Sequence, residues 1–213
     1  MDNRWPPYPV LSANHVVGAR LYANRGDQIS CLGVPKDGRV AEIGVWRGAF
    51  SKDLVETLRP REFVAFDIFD GHELQEWNGK TGKELFDGLT HRQFYEREIA
   101  AFRDITKIVE GSSLETLRDY TDQSFDLVYI DGNHAYEFVK SDAAFAANMV
   151  REDGILVFND YMMIDLNHAN YGVVPVVNEM VVNQGWHVIG YALHHALYCD
   201  IAIRRRSTIP AAA

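Results

Sequence analysis

The stretch Val40-Ala41-Glu42-Ile43-Gly44-Val45-Trp46-Arg47-Gly48 decides the fold. Its first half is a short apolar run typical of a buried strand, and its second half is a glycine turn that opens a helix. Glycine lets the backbone approach a ligand closely, and the helix N-terminus that follows favours a carboxylate or phosphate. The spacing Gly-x-x-x-Gly is neither the Gly-x-Gly-x-x-Gly turn of dinucleotide-binding domains nor a Walker A loop. The turn therefore predicts a ligand site and leaves the ligand open.

Outward from this stretch, apolar strand segments alternate with amphipathic helical segments. This alternation predicts an α/β fold in which βα units form one doubly wound, mostly parallel sheet. We expect seven strands, with a direct return between the last two that makes the last strand antiparallel. The predicted strands span residues 40–44, 63–67, 105–109, 125–131, 154–158, 186–189 and 198–203. The helix after the fourth strand carries an apolar stripe of Phe138, Val139, Ala143, Phe145, Ala146 and Met149.

The chain divides into three segments around this sheet. Residues 1–37 are predicted to form an N-terminal helical lead-in, residues 38–206 the sheet domain, and residues 207–213 a flexible tail. A polar insertion over residues 69–95 follows the second strand. Insertions at the carboxyl ends of parallel strands commonly carry function, because ligands bind along that edge.

Composition and charge limit the classes of function. The chain has 213 residues with 21 Lys+Arg and 30 Asp+Glu, so its net charge is −9. This acidic balance argues against nonspecific binding of nucleic acid. No apolar run reaches the ~20 residues that span a bilayer, and the N-terminus lacks the apolar core of a signal peptide. Cys31 and Cys199 form no CxxC pair, so we expect reduced thiols in a cytoplasmic protein without nucleic-acid or membrane partners.

An acidic residue ends the second predicted strand. Asp67 stands where a carboxylate can accept hydrogen bonds from both hydroxyls of a ribose bound beside the glycine turn. Asp70 is a nearby competitor for the same role. In the alternative interpretation, Asp67 caps a helix or is solvated.

Polar residues also end the fourth and fifth predicted strands. We expect Asp131, Asn159 and Asp160 to converge, because neighbouring strands of one sheet lie about 4.8 Å apart. Two carboxylates and an amide oxygen suit Mg²⁺, Mn²⁺ or Ca²⁺ better than Zn²⁺. In the alternative arrangement, the two carboxylates are separated and one of them accepts backbone N–H groups.

His134 is the best candidate for a general base at this edge. It lies one turn beyond Asp131, and the ordinary pKa of histidine suits the removal of a hydroxyl proton near neutral pH. The alternative is a histidine at a helix N-terminus that hydrogen-bonds to the backbone.

The order of these motifs resembles that of the class I S-adenosylmethionine-dependent methyltransferases, over about residues 36–205. The glycine turn follows the first strand, an acidic residue the second, a Gly-Ser-Ser sequence the third, and an aspartate the fourth. The resemblance implies a Rossmann-like fold with S-adenosylmethionine as cofactor. Its implied cofactor-binding residues are Gly44 and Gly48 along the methionine portion, Asp67 at the ribose, Ser112 or Ser113 near the adenine, Glu42 at the methionine amino group, and Asp131.

A second, narrower resemblance involves the string Asp131-Gly132-Asn133-His134-x-Tyr136 and the later Asn159-Asp160-Tyr161. Together they are similar to methyltransferase family 24, whose relatives include the macrocin-type sugar O-methyltransferases and, more distantly, cephalosporin hydroxylase-like proteins. Relatives of this general type, such as catechol O-methyltransferase, place a divalent cation on the residues that match Asp131 and Asp160. Residue 159 departs from the close branch, where His or Asp is more usual.

The expected reaction is methyl transfer from S-adenosylmethionine to a hydroxyl oxygen of a small-molecule acceptor. Asp131, His134 and Asp160 are the candidate catalytic residues, and Asp131, Asn159 and Asp160 the candidate ligands of Mg²⁺ or Mn²⁺. Side chains of the insertion and of the loop that contains His168 and Tyr171 are expected to shape the acceptor pocket or a homo-oligomer contact. Three alternatives stay open: a nicotinamide-dependent oxidoreductase, a non-catalytic S-adenosylmethionine-binding protein and a hydroxylase-like relative. The first lacks both the Gly-x-Gly-x-x-Gly turn and a Tyr-x-x-x-Lys pair.

Overall fold

One mixed sheet runs through the described part of the chain. A computed structural model describes residues 8–162, 171–193 and 199–208. The strands are β1 (Arg20–Tyr22), β2 (Arg39–Ile43), β3 (Glu62–Asp67), β4 (Thr106–Glu110), β5 (Phe125–Ile130), β6 (Val150–Phe158), β7 (Trp186–Leu193) and β8 (Cys199–Arg205). Their order in the sheet is β1-β7-β8-β6-β5-β2-β3-β4.

The directions of the strands confirm a doubly wound, mostly parallel sheet with an antiparallel last strand. The pairs β2–β3, β2–β5, β3–β4 and β5–β6 are parallel. The last strand, β8, runs antiparallel to both β6 and β7. This arrangement is that of a Rossmann-like methyltransferase fold.

The N-terminal segment contributes an eighth strand that the sequence pattern does not predict. β1 pairs in parallel with β7 at the edge of the sheet, where Arg20 is the partner of Gly190. It has only three residues, two of them exposed, so no apolar alternation marks it as a strand. The expectation of seven strands is therefore one too few, and residues 1–37 are more than a helical lead-in.

Helices cover both faces of the sheet. One apolar core packs α7 (Tyr136–Met149) and α8 (Val173–Asn183) against one face, and a second packs α2 (Arg25–Cys31) and α3 (Ala49–Leu58) against the other. Because successive strand residues point to opposite faces, Ala41 lies in the first core and Val40 in the second. The helices are α1 (Ala13–Val16), α2 (Arg25–Cys31), α3 (Ala49–Leu58), α4 (Gly82–Leu85), α5 (His91–Glu98), α6 (Ser113–Thr116), α7 (Tyr136–Met149) and α8 (Val173–Asn183), with short 3₁₀ helices at Gly71–Glu73, Ala100–Phe102, Leu117–Tyr120 and Arg206–Thr208.

The order of the strands reverses beside β2, which has β3 on one side and β5 on the other. Ile43 and Ile130 are register partners at the carboxyl ends of β2 and β5. Beyond them, the backbone N–H of Gly44 donates to Phe66 O at 2.8 Å and that of Asp131 donates to Ile43 O at 2.8 Å. Open α/β sheets bind ligands at such a switch point, so the candidate site is sought at this edge.

Three further expectations concern the rest of the chain. None of the described helices combines the length and apolar character of a membrane span. Cys31 is exposed and Cys199 is buried, and both are free thiols. The short helix Arg206–Thr208 occupies the beginning of the predicted C-terminal tail, whose residues 209–213 lie outside the described part of the chain.

Candidate functional site

A cleft of about 500 Å³ opens at the carboxyl edge of the sheet, at the switch point. Its volume falls within the range of about 300–1,000 Å³ that is usual for small-molecule sites. The cleft brings together several residues that were predicted to bind the cofactor. Those that line it are Gly44, Asp67, Ser112, Ser113 and Asp131.

Gly44 is the point of closest approach between β2 and the end of β5. Its φ is +84°, and a Cβ there would lie 2.2 Å from the carbonyl oxygen of Asp131. No side chain fits in that space, so glycine is required where the cleft begins.

Gly48 lies immediately before α3, and its expected contact with the methionine portion stays a prediction. It precedes α3 with φ +76°, and a Cβ at this position would lie 3.0 Å from the ring of Tyr95. The side of Gly48 that would carry a Cβ is therefore packed against an aromatic ring. Gly48 is not among the residues that line the cleft.

Glu42 is likewise buried behind the cleft and does not line it. Its side chain is 1% exposed and accepts a hydrogen bond from the hydroxyl of Ser51. Burial raises the pKa of this carboxyl group to about 8. The resemblance implies that Glu42 positions the methionine amino group through water, and this role stays a prediction.

Asp67 lines the cleft and is held by the glycine turn itself. Its Oδ2 accepts hydrogen bonds from the backbone N–H groups of Val45 at 2.8 Å and Trp46 at 3.2 Å, and its Oδ1 accepts from Phe69 N at 2.8 Å. Asp67 therefore accepts hydrogen bonds from backbone N–H groups, as a capping residue does. A carboxylate has about four acceptor positions, so one remains for a ligand. The competitor Asp70 lines the same cleft.

His91, which the sequence analysis did not single out, connects the insertion to the glycine turn. Its side chain is 2% exposed, and Nε2 lies 2.6 Å from Trp46 O. The backbone N–H of Gly71 donates to Nδ1 at 3.3 Å, which leaves Nε2–H to donate to the Trp46 carbonyl. This imidazole fixes the turn beside the cleft.

Three side chains form an acidic cluster at the rim of the cleft: Asp131, His134 and Asp160. His134 Nε2 lies 3.7 Å from Asp131 Oδ1 and 3.8 Å from Asp160 Oδ2. One ligand atom from each residue lies within 4.8 Å of the other two. Asp131 belongs both to this cluster and to the lining of the cleft.

The electrostatics of the acidic cluster favour a bound cation. Burial and then repulsion by Asp160 raise the pKa of Asp131 well above its ordinary value. Burial and then Asp200 raise the pKa of Asp160 to about 6. Burial lowers the pKa of His134 to about 4, so its imidazole is neutral at pH 7.

His134 contributes a buried ring nitrogen to the acidic cluster. Its Nε2 is buried and has no hydrogen-bond partner among the described residues. The ring stacks on Tyr171 with centroids 4.7 Å apart, and the Tyr171 hydroxyl donates to Asp160 Oδ2 at 3.3 Å. A fixed, neutral imidazole beside two carboxylates fits a divalent cation.

Asn159 is the third cation ligand expected from the sequence, and that role, which would use its amide oxygen, stays a prediction. Its Nδ2 donates to the hydroxyl of Tyr129 and to Asp200 Oδ1, both at 3.1 Å, inside a buried network. The next residue, Asp160, has φ +55°, so the chain turns sharply after β6. Its carboxylate lies near His134, while the Asn159 amide is bonded within the network. His134 is therefore the third member of the acidic cluster.

Arg25 adds a positive charge behind the cluster. Its guanidinium lies 3.9 Å from the centre of the Phe50 ring. Burial lowers the pKa of Arg25, but Tyr129, Asp200 and Asp131 raise it, and the net shift is upward. The side chain comes from α2, in the segment that was expected to be a lead-in. No motif marks it, because its partners are distant in sequence.

Two further side chains differ from expectation. Phe138, assigned to the apolar stripe of α7, is 43% exposed and lines the cleft instead. Asp142, on the inner face of the same helix, is 2% exposed and also lines the cleft. The sequence signal for Asp142 is an acidic residue among the apolar positions of a buried helix face. His168 lies outside the described residues.

Together, the fold and the cleft define a Rossmann-like protein of the methyltransferase class. The chain belongs to methyltransferase family 24, described as a methyltransferase domain, whose profile matches residues 41–161. Membership confirms the family expected from the sequence and supports S-adenosylmethionine as the cofactor. The narrower macrocin-type branch stays a prediction. No curated protein is significantly similar in sequence.

Solved structures share the fold at low sequence identity. An O-methyltransferase from Bacillus cereus in complex with SAH has 12% identity and a TM-score of 0.62, over 93% of this chain and 84% of that one. A putative caffeoyl-CoA O-methyltransferase from Staphylococcus aureus has 15% identity and a TM-score of 0.57, over 92% and 86%.

An O-methyltransferase family protein from Burkholderia thailandensis has 17% identity and a TM-score of 0.58 over 87% of this chain, which spans only 56% of that protein's length. Other similar structures include an N-methyltransferase, NodS from Bradyrhizobium japonicum, and a putative rRNA-methylase from Clostridium thermocellum. The fold alone does not determine which atom is methylated.

Proposed function

We propose that the protein transfers the methyl group of S-adenosylmethionine to a hydroxyl oxygen of a small-molecule acceptor, assisted by a divalent cation. One observation carries this proposal: Asp131 is shared between the cleft and the acidic cluster. An acceptor oriented at the cluster would stand beside whatever the cleft holds. Methyl transfer needs this juxtaposition, since the protein must bring the nucleophile and the methyl carbon together in line.

The cleft suits the cofactor by the residues along it. The backbone at Gly44 would receive the methionine portion, Asp67 would accept a hydrogen bond from a ribose hydroxyl, and Ser112 and Ser113 would lie at the adenine. Membership of the methyltransferase family supports this assignment, as does the SAH bound to the similar Bacillus cereus enzyme. The acidic cluster at the rim supports oxygen as the acceptor atom, since a cation held there would activate a hydroxyl.

The acidic cluster suits a divalent cation by its donor set. Asp131 and Asp160 supply oxygen and His134 supplies a neutral imidazole nitrogen, a combination that Mn²⁺ accepts and that Mg²⁺ accepts less readily. A bound divalent cation lowers the pKa of a coordinated hydroxyl and increases the nucleophilicity of its oxygen. His134 acting alone would be a weak base, because burial holds its pKa at about 4.

The net charge of −9 favours a small acceptor over a polynucleotide.

An aromatic wall would contact that acceptor. Trp46 lines the cleft, and its ring lies 6.0 Å from that of Trp77, which is 54% exposed. Exposed indoles at the edge of a cleft suit an acceptor with a flat apolar portion.

The test is an assay for release of S-adenosylhomocysteine with a panel of phenolic, sugar and amine acceptors. Protein treated with EDTA is compared with the same protein after Mn²⁺ or Mg²⁺ is restored. We expect turnover on a hydroxylated acceptor that EDTA abolishes and the cation restores. Turnover that EDTA leaves unchanged would show that the reaction needs no cation. Turnover confined to amines would show that oxygen is not the acceptor atom.

A further inference from the structure

Trp46 is a large residue in a left-handed backbone conformation. Its φ is +45°, in a region that residues with a side chain rarely adopt, and bulky residues least of all. Such a conformation persists only where the surrounding structure holds it, and it is concentrated at ligand sites. Trp46 lines the cleft and is 39% exposed. The strained backbone therefore lies in the wall of the cleft, and its support has to come from neighbouring residues.

Two side chains from outside the glycine turn hold the backbone of Trp46. Asp67 Oδ2 accepts a hydrogen bond from the Trp46 N–H at 3.2 Å, and His91 Nε2 donates to the Trp46 carbonyl oxygen at 2.6 Å. The ring of His91 also lies edge-on to the indole, with centroids 5.9 Å apart. The two hydrogen bonds fix the peptide planes on both sides of Trp46.

The imidazole of His91 is itself held in place. It is 2% exposed, and its Nδ1 accepts a hydrogen bond from the backbone N–H of Gly71 at 3.3 Å. The ring packs against Phe69 and Phe86, with centroids 5.0 and 4.5 Å away. Both ring nitrogens are bonded to the backbone, so neither is left for a ligand or for proton transfer. What this buried histidine can do is fix the backbone on either side of it.

Other contacts of α5 with the same segment fall outside the cleft. The ring of Tyr95 faces Gly48, and Lys52 Nζ forms an ion pair with Glu98 Oε2 at 2.6 Å. Neither Gly48 nor Lys52 is among the residues that line the cleft. His91, Tyr95 and Glu98 share one face of the helix, because their spacing is four and three residues. Of these three side chains, His91 is the one that bonds to a residue of the cleft wall.

We propose that His91 is a positioning residue for the cofactor: it holds the strained backbone at Trp46 and so keeps the glycine turn in its binding conformation before the ligand arrives. The proposal rests on the proposed function, because it takes S-adenosylmethionine as the ligand of the cleft. Without the bond to His91, the peptide after Trp46 would relax, and binding would have to restore it. The measured affinity falls with the fraction of molecules that already have the binding conformation.

Two substitutions separate the two hydrogen bonds of His91. In His91→Gln, the amide nitrogen lies near the position of Nε2 and can still donate to Trp46 O. In His91→Asn, the shorter side chain places its oxygen near the position of Nδ1, where it can accept from Gly71 N but leaves Trp46 O without its donor. Both substitutions remove the ring, so a loss caused only by packing would affect the two variants alike.

Calorimetric titration with S-adenosylhomocysteine measures the effect. We expect His91→Asn to bind it about tenfold more weakly than the wild type, and His91→Gln to stay within about threefold of the wild type. Glu98→Gln is the control, since it breaks the ion pair of α5 outside the cleft, and it should bind as the wild type does. Wild-type affinity in folded His91→Asn, or equal losses in the two His91 variants, would overturn the proposal.

A measurement on the wild-type protein does not depend on whether the variants fold. In protein with isotope-labelled histidines, nuclear magnetic resonance reports which ring nitrogen of His91 carries the proton and how fast that proton exchanges with water. We expect the proton on Nε2 and slow exchange in the ligand-free protein, because the bond to Trp46 O is already formed. S-adenosylhomocysteine should leave this exchange unchanged. A proton that exchanges rapidly until the ligand is added would overturn the proposal.

The two failures can be told apart. If the wild-type protein binds S-adenosylhomocysteine and either measurement on His91 gives the contrary result, only the role of His91 is wrong. If the wild-type protein does not bind S-adenosylhomocysteine, the proposed function is wrong and the role of His91 with it.

Discussion

A Cβ atom on Gly44 would lie 2.2 Å from the carbonyl oxygen of Asp131, so the glycine turn and the acidic cluster are neighbours only because residue 44 has no side chain. The contact joins the carboxyl ends of β2 and β5, the two strands whose loops would hold the cofactor and the acceptor. Most of the functional geometry depends on this approach.

Gly44→Ala should therefore damage the site as well as the stability. The left-handed backbone costs a residue with a side chain about 1–2 kcal/mol, and the clash with Asp131 adds to it. We expect the affinity for S-adenosylhomocysteine to fall by at least about tenfold, because the cleft must open to relieve the clash. Calorimetric titration and urea unfolding measure the two effects.

Gly185→Ala is the matched control for Gly44→Ala. Gly185 has φ +76°, and a Cβ there would meet nothing within 4 Å. It should show the backbone cost alone, about 1–2 kcal/mol, with unchanged cofactor affinity. Equal effects of the two substitutions would show that the contact with Asp131 has no special role.

Asp67→Ala should lower the affinity for S-adenosylhomocysteine about ten- to a hundredfold. The carboxylate holds the backbone of Val45, Trp46 and Phe69, and its remaining acceptor position would bind a ribose hydroxyl. Asp70→Ala is the comparison, since Asp70 lines the same cleft. Calorimetric titration decides between the two residues. A larger loss of affinity in Asp70→Ala than in Asp67→Ala would show that Asp70 binds the ribose.

Asp160→Asn should reduce turnover about a hundredfold while cofactor affinity changes little. Asp160 belongs to the acidic cluster but does not line the cleft, so its loss should affect the acceptor rather than S-adenosylmethionine. The kcat with a hydroxylated acceptor is compared with the Kd for S-adenosylhomocysteine. Asp153→Asn, at a side chain that is 58% exposed, serves as the control. Losses of similar size in kcat and affinity would contradict the role given to Asp160.

Glu42 should make the protein less stable as the pH rises from about 5 to 8. Burial raises the pKa of its carboxyl group from 4.5 to about 8. Over that window the folded state binds a proton that the unfolded state has released, so stability falls with pH, by at most about 1.4 kcal/mol per unit. Below the unfolded pKa the contribution is fully present, and above the folded pKa it is lost.

Urea unfolding of the wild type and Glu42→Gln at pH 5, 6, 7 and 8 measures this contribution. Glutamine cannot ionise, so the difference in free energy of unfolding between the two proteins isolates Glu42 from other titrating groups. We expect the wild type to lose stability relative to Glu42→Gln as pH rises. A difference that is independent of pH would show that Glu42 keeps its ordinary pKa.

The fold is predictable from the sequence because the central strands are buried on both faces. Every residue of Phe125–Ile130 is buried and all except Asp126 are apolar or aromatic, a pattern typical of a parallel strand covered on both faces. β1 is different, since its three residues become a strand only by pairing with β7 at the edge. Such pairing is a tertiary effect that no local pattern records.

The site is predictable in part, for a similar reason. Asp67 and Asp131 follow the ends of buried strands, so the topology alone brings them to one edge. The positions of Asn159 and Asp160 depend on a positive φ at Asp160, which sequence pattern does not specify. Arg25 and His91 act through partners far along the chain, and their roles emerge only from the folded arrangement.

The most direct measurement is a crystal structure of the protein grown with S-adenosylhomocysteine and Mn²⁺. We expect the homocysteine portion beside Gly44, a ribose hydroxyl on Asp67, and an anomalous peak for manganese between Asp131, His134 and Asp160. A nucleoside bound elsewhere on the protein, or a cleft that stays empty at saturating ligand, would contradict the proposed cofactor site.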